Sequence, residues 1–299
     1  MNWDHLRSFL AAARSGTLSG ASRSLQVKHS TIGRHLSTLE ESGGTKLFQR
    51  SPAGLALTAA GERLLKAAER IESEIQKAQS DIGGEDLAVS GKVRIAVPEG
   101  MGAILLAPAL ATLTAHHPAL SIQLIAMPRL FNLTNREADI TITLTLPQRG
   151  RLVSRRVSDY ALGLFASETY LRDRGTPAHK DDLKSHQMIN YIDDLLFTSE
   201  LNYLDEVVDS PSTSFNSSSI VAQMFAVKSG AGIAILPYFM ASLYPDIRPV
   251  LPEIKILRSW WMNIHEEQKD LARIRVVADY VHQELNSKQE TLHELQKSG

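Results

Sequence analysis

The sequence predicts an α/β protein of several domains: an N-terminal winged helix-turn-helix, a long linker helix and a C-terminal α/β region. Three observations predict it. Residues 16–50 fit two short helices joined by a tight turn. From Thr58 onward, apolar residues repeat at spacings of three and four over almost three heptads. From Lys92 to the end, apolar runs alternate with helical patterns, which is typical of a sheet covered by helices.

The second helix of the N-terminal pair has two contrasting faces. Ile32, Leu36 and Leu39 recur at helical spacing, so one stripe faces a core. The opposite stripe carries short polar residues and one fixed cation, Arg34. Such a face suits the major groove of DNA, where the N-terminal residues of a recognition helix contact base edges. An ordinary helical pair with a solvated face is the alternative. Residues 3–14 are predicted to form the preceding helix, with Trp3 in the core.

The candidate DNA-binding residues lie on this polar face and in the segment behind it. Two short apolar runs, KLFQR and GLALT, flank a Ser-Pro turn and predict a hairpin wing. Arg34 is the first candidate for a base contact, since Arg is the commonest bidentate partner of guanine, and a phosphate contact is the alternative. The candidates are Lys28, His29, Ser30, Thr31, Gly33, Arg34, His35, Arg50 and Ser51. Their predicted partner is double-stranded DNA.

Residues from Leu6 to Gly61 also match a family pattern without a gap. The matching positions are Leu6, Phe9, Ala21, Leu25, Val27, Ser30, Arg34, Leu39, Glu40, Gly44, Leu47, Phe48, Arg50, Leu57, Thr58 and Gly61. On these residues the chain resembles the LysR-type bacterial transcriptional regulators. The resemblance implies a DNA-binding regulator whose sensor region has two α/β lobes, like periplasmic solute-binding proteins, and binds a small-molecule effector. It also implies tetramers built as dimers of dimers, with RNA polymerase as a further partner.

The predicted recognition helix departs from that family pattern at its start and end. Lys28 and His29 stand where the family usually has Ser and Gln, and Gly43 replaces a usual Leu. Losing a Ser cap costs about 0.5–2 kcal/mol, which a phosphate contact by Lys28 would offset. Gly33 lies in mid-helix, where Gly costs about 1 kcal/mol against Ala. Either a base edge or sugar approaches closely at Gly33, or a small residue is simply tolerated there.

Composition bounds the class of protein. The 299 residues carry a net charge of −1, which alone does not indicate nucleic-acid binding. The charge is uneven, because residues 1–58 hold seven Lys or Arg and three acidic residues, a modest electrostatic footprint for DNA. The chain has no cysteine, which excludes disulfides and thiolate metal sites. No secretion signal and no apolar run of membrane-spanning length is apparent, so we expect a cytoplasmic protein without a membrane partner.

The linker helix is predicted to begin after a Thr58 cap and to end at Gly83 and Gly84, which form a hinge. Its apolar seam consists of Leu64, Ala68, Ile71, Ile75, Ala78 and Ile82. A lone seam has nothing to bury against, so we expect it to dimerise with a second copy, and packing against its own chain is the alternative. Two paired heads favour a two-fold symmetric DNA site. The predicted domains here are 1–58 for the head and 59–90 for linker helix and hinge.

Residues 91–299 are predicted to form the effector-binding domain. VRIAV, SIQLIAM and ADITITLTL are predicted strands, and their spacing implies a parallel sheet covered by helices. LVSRRV, YALGLFAS and WWMNIH are predicted as separate strands, 270–285 as the closing helix, and 286–299 as frayed. On the family resemblance, lobe I comprises about 91–160 and 266–299, and lobe II about 161–265.

The candidate effector site lies at the carboxyl ends of the predicted strands, where ligands bind in open α/β sheets. Backbone N–H groups at helix starts favour an anion, and Arg129 is either a carboxylate clamp or a surface ion pair. Glu99, Asp193 and Asp194 favour a positive ligand group instead, so the sign of the ligand stays open. The candidates are Glu99, Gly100, Met101, Gly102, Arg129, Thr145, Tyr191, Ser217 and Ser218.

The sequence carries no motif of catalysis. It has no GxSxG, P-loop, HExxH or GxGxxG, and the run from Gly100 to Gly102 lacks the third glycine of a dinucleotide signature. We therefore expect no catalytic residue, no cofactor and no metal site. The alternative function is a small-molecule-binding α/β protein without a regulatory role, against which the DNA-binding head argues.

Overall fold

The chain forms two compact units, the first ending at Ala88 and the second beginning at Val89. A computed structural model describes residues 2–51, 54–127, 138–147, 151–196, 198–208 and 211–294. Each unit has its own apolar core.

The first unit has, among its described residues, four helices and a hairpin. They are α1 (Trp3–Ser15), α2 (Leu18–Leu25), α3 (His29–Gly43), β1 (Phe48–Ser51), β2 (Gly54–Leu57) and α4 (Ala59–Ala88). The Thr17 hydroxyl accepts the Gly20 N–H at the start of α2, and the Thr58 hydroxyl accepts the Gly61 N–H at the start of α4. Gln26 ends α2 in the left-handed conformation, which makes the predicted turn between α2 and α3.

The core of the first unit lies between α1, α2, α3 and the start of α4. Phe9 and Ile32 are completely buried, and the predicted apolar stripe of α3 lies inside with them. The rings of Phe9 and Phe48 lie 5.3 Å apart, so β1 packs on the same core. Trp3, predicted in the core, is half-buried and packs at its margin.

The hairpin is held by a close approach of backbone to backbone. Gly54 has a φ of +120°, and a Cβ there would lie 2.5 Å from the carbonyl oxygen of Gly16. The neighbouring Leu55 N–H donates to that same oxygen at 2.7 Å. Only glycine tolerates both the dihedral angle and the contact, so Gly54 fixes β2 against the end of α1.

The helix α4 is longer than the sequence predicts. It runs to Ala88 and continues through Gly83 and Gly84, so the expectation that these residues end the helix is wrong. A glycine in a helix costs only about 1 kcal/mol against Ala, while propagation adds one hydrogen bond per residue. Without a proline at this point, the two glycines are not sufficient to stop the helix.

The second unit is built on a mixed sheet with eight described strands. They are β3 (Gly91–Val97), β4 (Leu120–Ala126), β5 (Ile140–Thr143), β6 (Leu152–Ser167), β7 (Met188–Asn190), β8 (Thr213–Asn216), β9 (Ile233–Pro237) and β10 (Ile247–His265). Their order in the sheet is β4-β3-β5-β10-β6-β9-β7-β8. The predicted parallel pairing is present on both flanks, where β3 pairs with β4 and β5, and β7 with β8 and β9. The sheet as a whole is not parallel, because β10 runs antiparallel to β5 and β6, and β6 runs antiparallel to β9.

Two long strands, β6 and β10, join the flanks of the sheet. The expectation of separate strands at LVSRRV and YALGLFAS is wrong, and WWMNIH is only the end of β10. The polar residues Ser158 and Asp159 do not interrupt β6 because both have partners. The Ser259 hydroxyl donates to Asp159 Oδ1 at 2.7 Å, and the Gln289 amide donates to the Ser158 hydroxyl at 2.8 Å.

Helices pack on both flanks of this sheet. They are α5 (Ala107–His116), α6 (Glu168–Arg174), α7 (Tyr203–Val207), α8 (Ile220–Lys228), α9 (Tyr238–Ala241), α10 (Ala272–Ser287) and α11 (Gln289–His293). A π-helical turn at Met101–Leu106 precedes α5. The predicted closing helix is α10, and its apolar face is buried as expected. The expectation that the chain frays after 285 is wrong up to His293, because α11 buries Leu292 completely.

Candidate functional site

The exposed face of α3 carries the residues predicted to contact DNA. Lys28, His29, Ser30 and Arg34 are all exposed, while the opposite stripe of the helix is buried. Lys28 occupies the N-cap position and makes no side-chain cap bond, as its departure from the family pattern predicts. The Thr31 N–H donates to the Lys28 carbonyl at 2.9 Å. The N–H groups of His29 and Ser30 are available to an acceptor from outside, and a helix N-terminus favours an anionic one.

Two small residues on α3 lie between its polar and buried faces. Gly33 is partly exposed, and a Cβ built there would meet nothing within 4 Å. The fold therefore gives no steric reason for a glycine at this position. Thr31 is half-buried.

The ring of His35 points toward α1. Its Nδ1 lies 2.7 Å from the Ser8 hydroxyl, and its ring packs 4.5 Å from that of His5. Burial lowers the pKa of His35, and the nearby His5 and Arg34 lower this pKa further, which favours a neutral ring. Contacts within the head thus engage the His35 side chain.

A carboxylate holds the base of the wing, the hairpin formed by β1 and β2. Glu40 Oε1 accepts the backbone N–H groups of Leu47 at 2.9 Å and Phe48 at 3.4 Å, and Oε2 accepts Lys46 Nζ at 2.6 Å. No pattern in the sequence predicts this role for Glu40. Arg50 and Ser51 lie on β1 as expected, but their side chains are outside the described part of the chain.

The predicted dimerisation seam of α4 divides into two parts. Leu64 packs against the core of the head and Ala68 is completely buried in it. An ion pair between Arg14 of α1 and Glu72 of α4, at 2.5 Å, follows the same side of the helix. The remaining seam is less covered: Ile71 is 40% exposed, Ala78 is exposed and Ile75 is half-buried. The side chain of Ile82 lies outside the described residues.

A cavity opens in the second unit between the two flanks of its sheet. It has about 490 Å³ of space between its atoms, counting the part open to solvent. The cavity is lined by Pro98, Glu99, Gly100, Met101, Leu144, Tyr160, Tyr191, Leu201, Tyr203, Ile220, Pro237, Phe239, Met240 and Trp260. These residues come from the carboxyl end of β3 on one side, from the elements around β7 and β9 on the other, and from the middle of β6 and β10.

The structure brings together some of the predicted effector residues and not others. Glu99, Gly100, Met101 and Tyr191 line the cavity. Gly102 does not, because a Cβ there would lie 2.6 Å from that of Ala126, so this glycine lets the π-helical turn pack on the sheet. Three further candidates are absent from the lining, namely Thr145, Ser217 and Ser218. Arg129 lies outside the described residues.

Glu99 links the two sides of the cavity. Its Oε1 accepts the Ser219 hydroxyl at 2.9 Å, and the Ser219 hydroxyl also accepts the Ala222 N–H and so caps α8. Its Oε2 is buried and has no hydrogen-bond partner. A buried oxygen of this kind is costly unless a ligand supplies a donor.

Sequence reasoning missed most of the aromatic wall of the cavity. Tyr160 and Trp260 stack with their rings 4.1 Å apart, at an angle of 11°. Tyr203 stands 6.3 Å from Tyr191, ring to ring. Burial raises the pKa of Tyr203 to about 12, and burial, followed by the neighbouring Tyr203, raises the pKa of Tyr160 well above its ordinary value. These phenols stay neutral at physiological pH and offer hydroxyl groups as donors or acceptors.

The described residues include neither a candidate metal centre nor a membrane-spanning helix. No group of three or more His, Cys, Asp or Glu side chains there is placed to hold a metal ion. Among the helices described, none combines the length and apolarity that crossing a bilayer requires.

A polar recognition helix with a wing, joined in one chain to an α/β unit with a cavity lined by apolar and aromatic side chains, is the architecture of a DNA-binding regulator that responds to a small molecule. Residues 3–62 match the family model for the bacterial regulatory helix-turn-helix protein of the lysR family. Residues 88–286 match the LysR substrate binding domain. The chain belongs to the LysR-type family of transcriptional regulators, which confirms the predicted family and fold class. Proteins of this family bind DNA and small-molecule effectors, form oligomers and are not enzymes.

Curated relatives and solved structures agree with this assignment over nearly the whole chain. A probable HTH-type transcriptional regulator LtrA of Klebsiella pneumoniae is 24% identical over 91% of each chain. The Mau operon transcriptional activator of Paracoccus denitrificans is 27% identical over 94% of this chain and 95% of its own. The structure of CrgA, a LysR-type regulator from Neisseria meningitidis, has 25% identity and a TM-score of 0.59, covering 95% of this chain and 99% of its own.

Proposed function

We propose that this regulator binds a two-fold symmetric operator with the N-terminal half of α3 in the major groove. The exposed polar stripe of α3 is the observation that carries the proposal, because it pairs a free cation and short hydrogen-bonding groups with a fully buried opposite face. Lys28, His29, Ser30 and Thr31 stand at the helix start, where recognition helices meet bases and phosphates. Gly33 lets the groove wall come close.

Arg34 is the proposed base-reading residue of this set. Its side chain is exposed, and no hydrogen bond or ion pair with the rest of the described chain restrains it. Its guanidinium can pair with the O6 and N7 acceptors of guanine. Arg50 and Ser51 on the wing are proposed to meet the DNA backbone beside the groove, and His35 contributes to the interface by holding α3 in place.

We propose that two chains pair through the uncovered part of α4. Ile71 and Ala78 are the exposed seam residues, and Ile75 lies between them. Leu64 and Ala68 stabilise the head instead, so the pairing surface begins about two turns later than the full heptad seam. The resulting dimer, or a tetramer of two dimers, presents two α3 helices to one DNA duplex.

The cavity of the second unit is the proposed effector site, and the four candidates Glu99, Gly100, Met101 and Tyr191 line it. An effector that binds there and favours one arrangement of the two flanks shifts the population of DNA-binding states. We propose the cytoplasm as the place of action, since chromosomal DNA is there, and RNA polymerase as the partner that the bound regulator recruits or obstructs.

A matched pair of arginine substitutions tests the DNA-binding proposal. Wild type, Arg34→Ala and Arg172→Ala are titrated by fluorescence anisotropy against double-stranded DNA from beside the gene, and against a scrambled duplex. Arg172 is an exposed arginine of α6 and provides the control for losing one positive charge. Arg34→Ala should lose specific binding, by about 1–3 kcal/mol or more, with its oligomeric state unchanged. Arg172→Ala should bind like wild type.

Each alternative has its own signature. Equal weakening on both duplexes, with a shallower salt dependence, would assign Arg34 to a phosphate rather than a base. Specific binding by Arg34→Ala at wild-type strength would refute the assignment of Arg34. If wild type binds neither duplex at low salt, the result would favour the alternative, a small-molecule-binding protein that does not regulate.

A further inference from the structure

The described lining of the cavity in the second unit carries a negative formal charge and no positive one. Glu99 is the only residue with a formal charge among the described residues that line it. One oxygen of its carboxylate is occupied by the Ser219 hydroxyl, and the other is buried without a hydrogen-bond partner. The nearby Arg258 does not line the cavity: its guanidinium lies over the ring of Tyr203, 5.5 Å from the ring centroid, and pairs with Glu206.

The walls around Glu99 are aromatic. Five rings line the cavity, and the ring faces of tyrosine and tryptophan attract cations because their π-electrons are negative. The rings are fixed, since Tyr160 stacks on Trp260 and Phe239 meets Trp260 edge to face at 5.8 Å. A fixed aromatic enclosure around one carboxylate is a chemical match for a positively charged group with an apolar body.

We propose that the ligand of this cavity is a small organic cation, a protonated amine on an apolar or aromatic body, whose ammonium group donates to the unpartnered Oε2 of Glu99. The inference rests on the proposed function of this cavity as the effector site. The aromatic walls enclose the apolar body, and the ammonium supplies the donor that the buried oxygen lacks. An anionic ligand would meet the carboxylate without a compensating cation in the described lining.

Glu99 also places this ligand where the two flanks of the sheet meet. Glu99 follows β3 on one flank of the sheet, whereas Ser219 begins α8 on the other, and their hydrogen bond joins the two. A Cβ on the adjacent Gly100 would lie 2.8 Å from Met240 Sδ and 3.2 Å from Ile220 Cγ2, so the flanks already touch there. An ammonium bound at Glu99 would share this carboxylate with Ser219, and binding is therefore coupled to how the flanks meet.

Three probes of similar size and different charge separate the effect of ligand charge on affinity from that of ligand size. Benzylammonium, benzyl alcohol and benzoate are titrated by calorimetry into the full-length wild type, Glu99→Gln and Glu253→Gln. Glu253 is exposed, belongs to the same unit and does not line the cavity, so it controls for a change in net charge. Wild type should prefer benzylammonium over benzyl alcohol by about tenfold or more and bind benzoate most weakly. Glu99→Gln should lose that preference while still binding benzyl alcohol, and Glu253→Gln should keep it.

Several results would overturn the inference. These are a preference of wild type for benzoate, equal binding of all three probes, no binding of benzylammonium, or an undiminished preference in Glu99→Gln. The wild-type comparison alone decides the sign of the ligand if Glu99→Gln does not fold. Operator binding with and without benzylammonium separates the two proposals. A probe that binds through Glu99 and leaves DNA affinity unchanged supports the cation site and contradicts its role as effector site.

Discussion

Replacing Gly33 by alanine should stabilise the protein and weaken its binding to DNA. A Cβ at this position would touch nothing within 4 Å, so the methyl group adds no strain to the folded head. Alanine is favoured over glycine inside a helix by about 0.5–1 kcal/mol. That free energy corresponds to a two- to fivefold slowing of amide exchange, roughly, where exchange requires the head to unfold. Hydrogen-exchange mass spectrometry of α3 peptides in the full chain measures it.

The same methyl group would stand between α3 and the groove if Gly33 faces DNA closely. Disturbing one base contact costs about what one mismatched base pair costs, 1–3 kcal/mol, or roughly five- to 150-fold in affinity. Anisotropy titration of the operator duplex measures this loss. The two effects have opposite signs, so a general loss of structure does not explain them together.

Gly43→Ala is the matched control. Gly43 lies at the end of α3, away from the helix start, and a Cβ there would meet only Thr45 Cγ2, at 3.9 Å. This variant should slow exchange in α3 similarly and bind operator DNA like wild type. Gly33→Ala with wild-type affinity would refute the close approach of DNA at this position. Faster exchange in Gly33→Ala would refute the claim that the fold leaves room there.

Two further predictions concern the wing and the linker helix. Burial raises the pKa of Glu40, but its hydrogen bonds from Lys46, Leu47 and Phe48 outweigh this, so the folded-state pKa lies below the ordinary 4.5. Its stabilising contribution is therefore full above the unfolded pKa and is lost as pH falls through the folded pKa. Glu40→Gln should lower the free energy of unfolding, measured by urea titration, by about 1.5–3 kcal/mol at pH 7 and by less in acid. An equal loss at both pH values would contradict this account. Ile71→Glu should dissociate the dimer, as measured by sedimentation. Ala67 is exposed and lies off the seam, so Ala67→Glu should leave the dimer intact. A dimeric Ile71→Glu would exclude this part of α4 from the interface.

The head of the protein was predictable because its determinants are local. The period of Ile32, Leu36 and Leu39, the left-handed turn at Gln26 and the Thr58 cap each act within a few residues of chain. The Glu40 contacts were not predictable from such patterns. They join the end of α3 to backbone N–H groups of the wing. Because every residue except proline carries a backbone N–H, the sequence does not show which of them will donate.

The sheet of the second unit was predicted only in part, because its long strands depend on distant partners. Ser158 and Asp159 look like a break between two apolar runs. They remain within β6 because Ser259 and Gln289, far along the chain, supply their hydrogen bonds. Leu292 shows the same effect in a polar segment, where a single buried side chain is enough to anchor a short helix.

The residues that line the cavity were likewise predictable only in part. The turn after β3 was predictable, since ligands lie at the carboxyl ends of parallel strands, and this rule gives Glu99, Gly100 and Met101. Tyr160 and Trp260 lie in the middle of antiparallel strands, where the rule does not apply. Their approach to the cavity follows from the pairing of β6 with β10, which depends on the whole fold.

Three departures from local rules lie on the surfaces proposed here to bind DNA and effector. In α3, the uncapped start at Lys28 is exposed and Gly33 is partly exposed, while the buried stripe follows the helical pattern throughout. In the second unit, Glu99 lines the cavity and one of its carboxylate oxygens has no partner, because Ser219 donates only to the other oxygen. Exceptions on these surfaces are expected where a partner completes the missing contacts, DNA in one unit and a small ligand in the other.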